Sequence, residues 1–196
     1  MKTLKANFRK LAMTFTAVMT VFQFATAQEL KLNNAASELT VFGTSNIHDW
    51  DIKAETMSGT AVFTMENNEI TNVEKLQLSI VAESLKSGKG GMDKNTYKAL
   101  NTSKHKNIIY QMTSCIVVNK IAANTYEIKT RGNLTISGVT KQVPLTFKAS
   151  VNGKKVTLSG EAGIKMTTFN VDPPTAMMGT IKTGDALTIK YKVTYN

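Results

Sequence analysis

Few residues in this chain of 196 could carry covalent or metal chemistry: two histidines, His48 and His105, and one cysteine, Cys115. On a strand, adjacent residues point to opposite faces, so His48-Asp49 is poorly placed to share the hydrogen bond that orients a general base. The two histidines could meet in space as metal ligands, but no cysteine or carboxylate motif completes a set. No metal or other cofactor is therefore expected. A single thiol excludes an internal disulfide framework, and Cys115 sits in the apolar stretch Ile108–Val118, where it reads as a small buried hydrophobe. Gly88-Lys89-Gly90-Gly91 could cradle an anion through backbone N–H groups, although such a stretch more often serves as a flexible connection. Nucleophile-elbow, phosphate-loop and zinc-protease signatures are absent. The chain reads as a non-enzyme. The enzymatic alternative would use His48 or Tyr110 as acid or base.

The first segment has the three parts of a secretory leader. Lys2, Lys5, Arg9 and Lys10 form a basic start, Leu11–Phe24 is mainly apolar, and Ala25-Thr26-Ala27 supplies small residues. Cleavage is expected after Ala27, which makes residues 1–27 the leader and 28–196 the mature domain, periplasmic or secreted. The apolar run is short for a spanning helix, and no later run approaches the length needed. The whole chain carries 24 basic and 14 acidic side chains. Losing the leader leaves 20 basic against 14 acidic, a net +6, so part of the basicity belongs to targeting. No nucleic-acid partner is expected. The lysines read as a solvated surface, with room for transient contact with a membrane surface.

The mature chain alternates with a period of two. Ile108, Tyr110 and Met112 share one phase, as do Tyr126, Ile128 and Leu134. Val143, Leu145, Phe147 and Ala149 form a third such row, and Leu187, Ile189, Tyr191, Val193 and Tyr195 a fourth. One wet face and one buried face is the antiparallel pattern. Earlier strands, less regular, are expected at Glu38–Thr44, His48–Ala54, Gly59–Glu66 and Val73–Ala82. Asn67-Asn68, Asn119–Asn124, Ser137-Gly138, Asn152-Gly153 and Thr183-Gly184-Asp185 read as the turns between them. Short strands joined by hairpins fit a sandwich or an up-and-down barrel, and closure would remove the exposed edges of a large sheet. Met92, Thr96, Tyr97 and Leu100 recur at helical spacing, which predicts one short inserted helix at about 92–100.

Several strings, in order, resemble the YceI-like family of exported proteins. They are Gly43–Trp50, Ser84–Gly88 with Met92-Asp93, Lys104–Ile108, Gly132–Val143, Phe169–Val171 and Ile181–Asp185. The resemblance covers about Leu39–Tyr195. It implies an all-β, single antiparallel lipocalin-like barrel of about eight strands, holding a polyisoprenoid or similar long lipid in its interior as carrier or store. A small outer-membrane barrel, or an enzyme acting on a lipid in the same barrel, are the alternatives. Expected apolar lining residues are Trp50, Phe63, Leu78, Ile80, Tyr97, Leu100, Ile108, Tyr110, Met112, Leu134, Phe147 and Phe169. Each buried CH₂ contributes about 0.8 kcal/mol, enough for a few isoprene units to drive binding without a catalytic group. The reading also leaves room for a homodimer.

Overall fold

The computed structural model describes residues 26–67 and 69–196. The expected leader lies outside the described residues except for Thr26 and Ala27. Among the described residues, thirteen strands and one α-helix run in the order β1 (Thr26–Lys31), β2 (Glu38–Gly43), β3 (Trp50–Ala54), β4 (Met57–Glu66), β5 (Glu69–Val81), β6 (Leu85–Lys86), α1 (Gly90–Leu100), β7 (Asn107–Ala122), β8 (Thr125–Ile136), β9 (Val139–Asn152), β10 (Lys155–Lys165), β11 (Thr175–Ala176), β12 (Ile181–Lys182) and β13 (Ala186–Tyr195). Eleven of these strands form one antiparallel sheet, and β11 pairs only with β12.

The count exceeds eight because three staves of the curled sheet are broken in two. A 3-10 turn at Asn34–Ala36 separates β1 from β2, Glu55-Thr56 separates β3 from β4, and a 3-10 turn at Ala82–Ser84 separates β5 from β6. Counted as staves, these join β7, β8, β9, β10 and β13 in an eight-fold meander. β13 brings its ends together. It pairs with β10 along one edge, and along the other with β2 and, at Tyr195, with Leu32 just beyond β1. Backbone bonds between Lys31 and Asn196 of 2.9 and 3.1 Å complete the contact.

Hairpin chemistry sets the register. Ser137 (φ 49°) and Gly138 (φ 78°) form a two-residue turn between Ile136 and Val139, with the positive φ values that such turns need. The Asn119–Asn124 turn expectation is corrected: Asn119–Ala122 continue β7, and only Ala123-Asn124 turn. Three register shifts in β7, between Met112 and Ser114, between Cys115 and Val117 and between Lys120 and Ala122, also break its simple alternation. Met112, Cys115 and Val118 pack partly buried against the core at three-residue spacing, while Ile116 is exposed. A bulge inserts a residue and reverses the facing of the residues after it.

Two ladders are incomplete. β5 and β7 pair only over Gln77–Val81 and Asn107–Gln111. β9 and β10 pair only from Lys148↔Ser159 down to their hairpin turn. The sheet therefore parts twice, at opposite ends of the barrel. One end is filled by Phe63, Val73, Tyr126, Ile128, Ala149 and Val156, all fully buried. At the other end lie the loops 44–49, 87–106 and 166–185.

Candidate ligand cavity

Above the filled end the barrel is hollow. A cavity of about 1070 Å³ runs from Tyr110, Phe147, Leu158 and Tyr195 up to the loops of the open end. On β13 its wall runs from Leu187 to Tyr195, roughly 26 Å at about 3.3 Å per strand residue. Ligand pockets commonly span about 300–1,000 Å³ and are mostly apolar. This one is lined by the inward phase of the strands: Leu78 and Ile80 on β5, Ile108 on β7, Leu134 on β8, Val143 and Leu145 on β9.

Three glycine–aromatic pairs keep the wall thin. A Cβ on Gly43 would meet the Trp50 ring at 2.1 Å, one on Gly132 the Tyr110 ring at 2.5 Å, and one on Gly160 the Tyr191 hydroxyl at 2.6 Å. Each ring lies against bare backbone. A larger residue at any of these sites would push the ring toward the lumen.

The deep wall is polar only at phenols. The Tyr110 hydroxyl is 3.1 Å from Thr130 Oγ1, and Tyr195 donates to the Gln77 carbonyl at 3.2 Å. Burial pushes the hydroxyls of Tyr110, Tyr191 and Tyr195 above the ordinary phenol range, so they stay neutral. A neutral, largely apolar wall suits a hydrocarbon and offers an ionic group nothing at this depth.

The cavity also reaches between the parted strands. Five consecutive residues of β9, Val143–Phe147, and four of β10, Glu161–Ile164, line it. Consecutive lining residues mark strand edges as well as faces. Pro144 has no N–H to donate there, and Gly163 offers no side chain to fill the gap.

α1 roofs part of the open end. Met92, Tyr97 and Leu100 pack against the cluster of Leu39, Ile52, Ile80 and Leu85. Asp93 holds the start of the helix by accepting from the Ser87 N–H at 2.8 Å and hydroxyl at 2.6 Å. These bonds, the hydroxyl's first, keep its carboxyl below the usual range. Asn101 (φ 49°) ends the helix. The Ser137 hydroxyl donates to Leu100 O, and the His105 ring lies against Gly138, tying the helix exit to the β8–β9 turn.

Of the twelve residues the sequence suggested, nine line the cavity: Trp50, Leu78, Ile80, Leu100, Ile108, Tyr110, Leu134, Phe147 and Phe169. Three lie elsewhere. Phe63 is 2% exposed inside the filled end. Met112 packs against that same cluster at the first bulge of β7. Tyr97 packs against the cluster beneath α1 and not on the cavity, and Lys86 Nζ donates to its hydroxyl at 2.7 Å while the hydroxyl meets the Glu83 and Leu85 carbonyls. Among residues not anticipated as lining are Leu158, Leu187, Ile189 and Val193. The β13 residues belong to an alternating row visible in the sequence, so phase was the available signal. His48 lines the mouth, and its Nδ1 lies 2.9 Å from the Asp49 backbone carbonyl.

An up-and-down barrel with a hollow apolar interior open at one end is the architecture of lipocalin-like binding proteins. The YceI-like domain model matches residues 30–195, and the chain belongs to that family. No curated protein matches it. Among solved structures it resembles Burkholderia cenocepacia BcnA, with TM-score 0.66 and 16% identity, covering 84% of this chain and 99% of that one. It also resembles a polyisoprenoid-binding domain from Saccharophagus degradans implicated in plant cell wall breakdown (TM-score 0.65, 12% identity, covering 85% and 97%). The Campylobacter jejuni YceI protein aligns with TM-score 0.51 at 20% identity, covering 72% and 82%. At these identities the likeness establishes the shared fold.

Proposed function

We propose that this protein is an exported, non-catalytic carrier or store for a polyisoprenoid or similar long-chain lipid, held with its tail deep in the barrel. The observation that carries the reading is the 1070 Å³ cavity, mostly apolar along its strands and with neutral phenols at depth. Its wall runs roughly 26 Å along β13 at about 3.3 Å per residue, long enough for an extended hydrocarbon chain. The polyisoprenoid-binding description of one structural neighbour supports the ligand class.

The alternatives fit less well. A membrane-spanning barrel needs an apolar outer band. Here Lys129, Arg131, Lys148, Lys190 and Lys192 stand exposed on the outer face of β8, β9 and β13. An enzyme needs a base within reach of the bound chain, and the deep wall offers only phenols held neutral by burial. Solvent extraction of the purified protein, followed by mass spectrometry, should release an isoprenoid or comparable long-chain lipid. Stripped protein should take up an added isoprenoid quinone. Failure of both would overturn the reading.

A further inference from the structure

The rim of the open end carries a feature that the cavity does not use. β11 and β12 form a small hairpin beside the mouth, Thr175↔Lys182 and Ala176↔Ile181. Ala176 and Ile181 line the cavity, but the tip points away from it: Met177 is 74% exposed and Met178 fully exposed. Both methionines hold positive φ, 48° and 56°, beside Gly179 at 86°. Non-glycine residues rarely occupy this region, and two in succession persist only where the surroundings enforce them.

The surroundings do so. Asn46 fastens the hairpin to the neighbouring loop through three bonds: its N–H to Lys182 O (3.1 Å), its amide nitrogen to Thr180 O (2.9 Å), and its Oδ1 from the Lys182 N–H (2.8 Å). Ser45 bridges Thr183 beside them. The next residue, Ile47, is 57% exposed and also on the rim. A stapled pair of loops thus presents three large apolar side chains to solvent at the cavity mouth.

Charge completes the surface. Residues 87–106, which include α1, contain Lys89, Lys94, Lys98, Lys104 and Lys106 against one acid, Asp93, and of these lysines Lys106 is paired with Glu83 at 4.0 Å. Asp93 is engaged by Ser87. On the other loops, Asp185 is engaged by Thr167, while Asp49 and Asp172 dilute the charge beside the hairpin. The positive excess therefore lies on the α1 side of the mouth. We propose that the open end docks on an anionic lipid bilayer, with Met177, Met178 and Ile47 entering the headgroup–acyl boundary and the α1 lysines over the headgroups. Exposed apolar tips beside a basic helix combine the two attractions that interfacial binding uses. The arrangement rests on the carrier reading and deepens it, because it sets the mouth directly over the lipid to be loaded or delivered.

The test is sedimentation of the purified protein with vesicles of phosphatidylglycerol mixed into phosphatidylcholine, against phosphatidylcholine alone. The protein should bind the anionic vesicles preferentially and lose them at high salt. The double variant Met177→Ser/Met178→Ser should partition at least about tenfold more weakly, while still taking up isoprenoid quinone in solution. Lys98→Glu/Lys104→Glu should abolish the preference for anionic vesicles. In Met178→Trp, the added emission should shift to the blue and be quenched by brominated acyl chains. A double methionine variant that binds vesicles as well as the parent, or a parent with no vesicle binding, overturns the docking. Quinone uptake without vesicle binding sinks the docking alone. Vesicle binding without any lipid uptake sinks the carrier reading and leaves the docking standing.

Discussion

The barrel parts twice, and the two partings have opposite fates. Where β5 and β7 separate, the space is taken by Val73, Leu76, Met112, Cys115, Val118, Tyr126 and Ile128, and Lys120 reaches across to Glu69. Where β9 and β10 separate, Gly160, Ala162 and Gly163 leave one edge of the gap thin, Pro144 interrupts the other, and the space joins the cavity. Both gaps lie in one curled sheet. Side-chain volume, not strand pairing, decides which end is solid and which is hollow.

Truncation at the solid end should show the largest effect. Ile128 is 0% exposed, so Ile128→Ala loses transfer free energy and leaves a new void, at a cost of about 3 kcal/mol. Leu134 faces space that is already empty. Leu134→Ala should cost nearer to about 1 kcal/mol, because little new cavity forms. Urea unfolding of the lipid-free protein measures both. Equal losses would mean that the upper barrel collapses onto itself when empty.

The reverse substitution should sharpen the contrast. Ala162 lines the cavity and follows Leu158 and Gly160 in the inward phase of β10. Ala162→Trp should cut quinone uptake at least about tenfold, equivalent to about 1.4 kcal/mol of binding, with the midpoint of unfolding held or raised. Fluorescence titration reads the affinity. An unaltered affinity would place the lipid outside the lumen.

The solid end and the hollow end were not equally legible in the sequence. Alternation in β8, β9 and β13 separated an apolar row from a polar one on each strand, and left open which row faces the lumen. It could not say how deep the hollow runs, because Phe63 and Phe147 share the same pattern and differ only in which neighbours fill the space around them. Bulges were equally invisible: Ile116 stands in the phase of Ile108 and Tyr110, yet it follows one inserted residue and is itself unpaired at the next register shift. Tyr97 fits a helical apolar stripe, but its hydroxyl finds the Glu83 and Leu85 carbonyls and the ring packs against the cluster under α1, beside the cavity lining and not in it. The break at Glu55-Thr56 falls between two strands that the sequence separates, whereas the breaks at Asn34–Ala36 and Ala82–Ser84 went unread for a related reason. Asn34 holds one of them by bonding Glu55 O at 2.8 Å and the Met57 N–H at 2.7 Å, contacts between residues more than twenty apart.

A smaller effect is expected from the roof. Asp93→Ala removes the acceptor that holds the Ser87 N–H and hydroxyl, a loss of about 1 kcal/mol. The cost should fall on α1 and not on the solid end. Hydrogen exchange should therefore quicken in residues 90–100 and stay unchanged in β8. If the two respond together, the roof and the filled core unfold as one unit.

Acid should separate the two ends most gently. The carboxyl of Asp93 is held down chiefly by the Ser87 hydroxyl, and that of Asp185 chiefly by the Thr167 N–H, both below the ordinary value of 3.8. A depressed carboxylate stabilises the fold above its unfolded pKa and loses that contribution as pH falls through the lower folded value. The window therefore opens near 3.8 and extends downward. Both groups anchor loops of the open end: Asp93 the start of α1, Asp185 the turn at Met166–Phe169. The side chains packed in the core of the other end carry no carboxyl group. Trp50 is the single tryptophan and stands in the mouth, its Nε1 donating to Thr44 O at 2.9 Å. Its emission should shift to the red as pH falls below about 4, while far-UV circular dichroism of the strands stays constant. A coincident loss of both signals would show that the roof has no independent freedom, and that the hollow end is as rigid as the filled one.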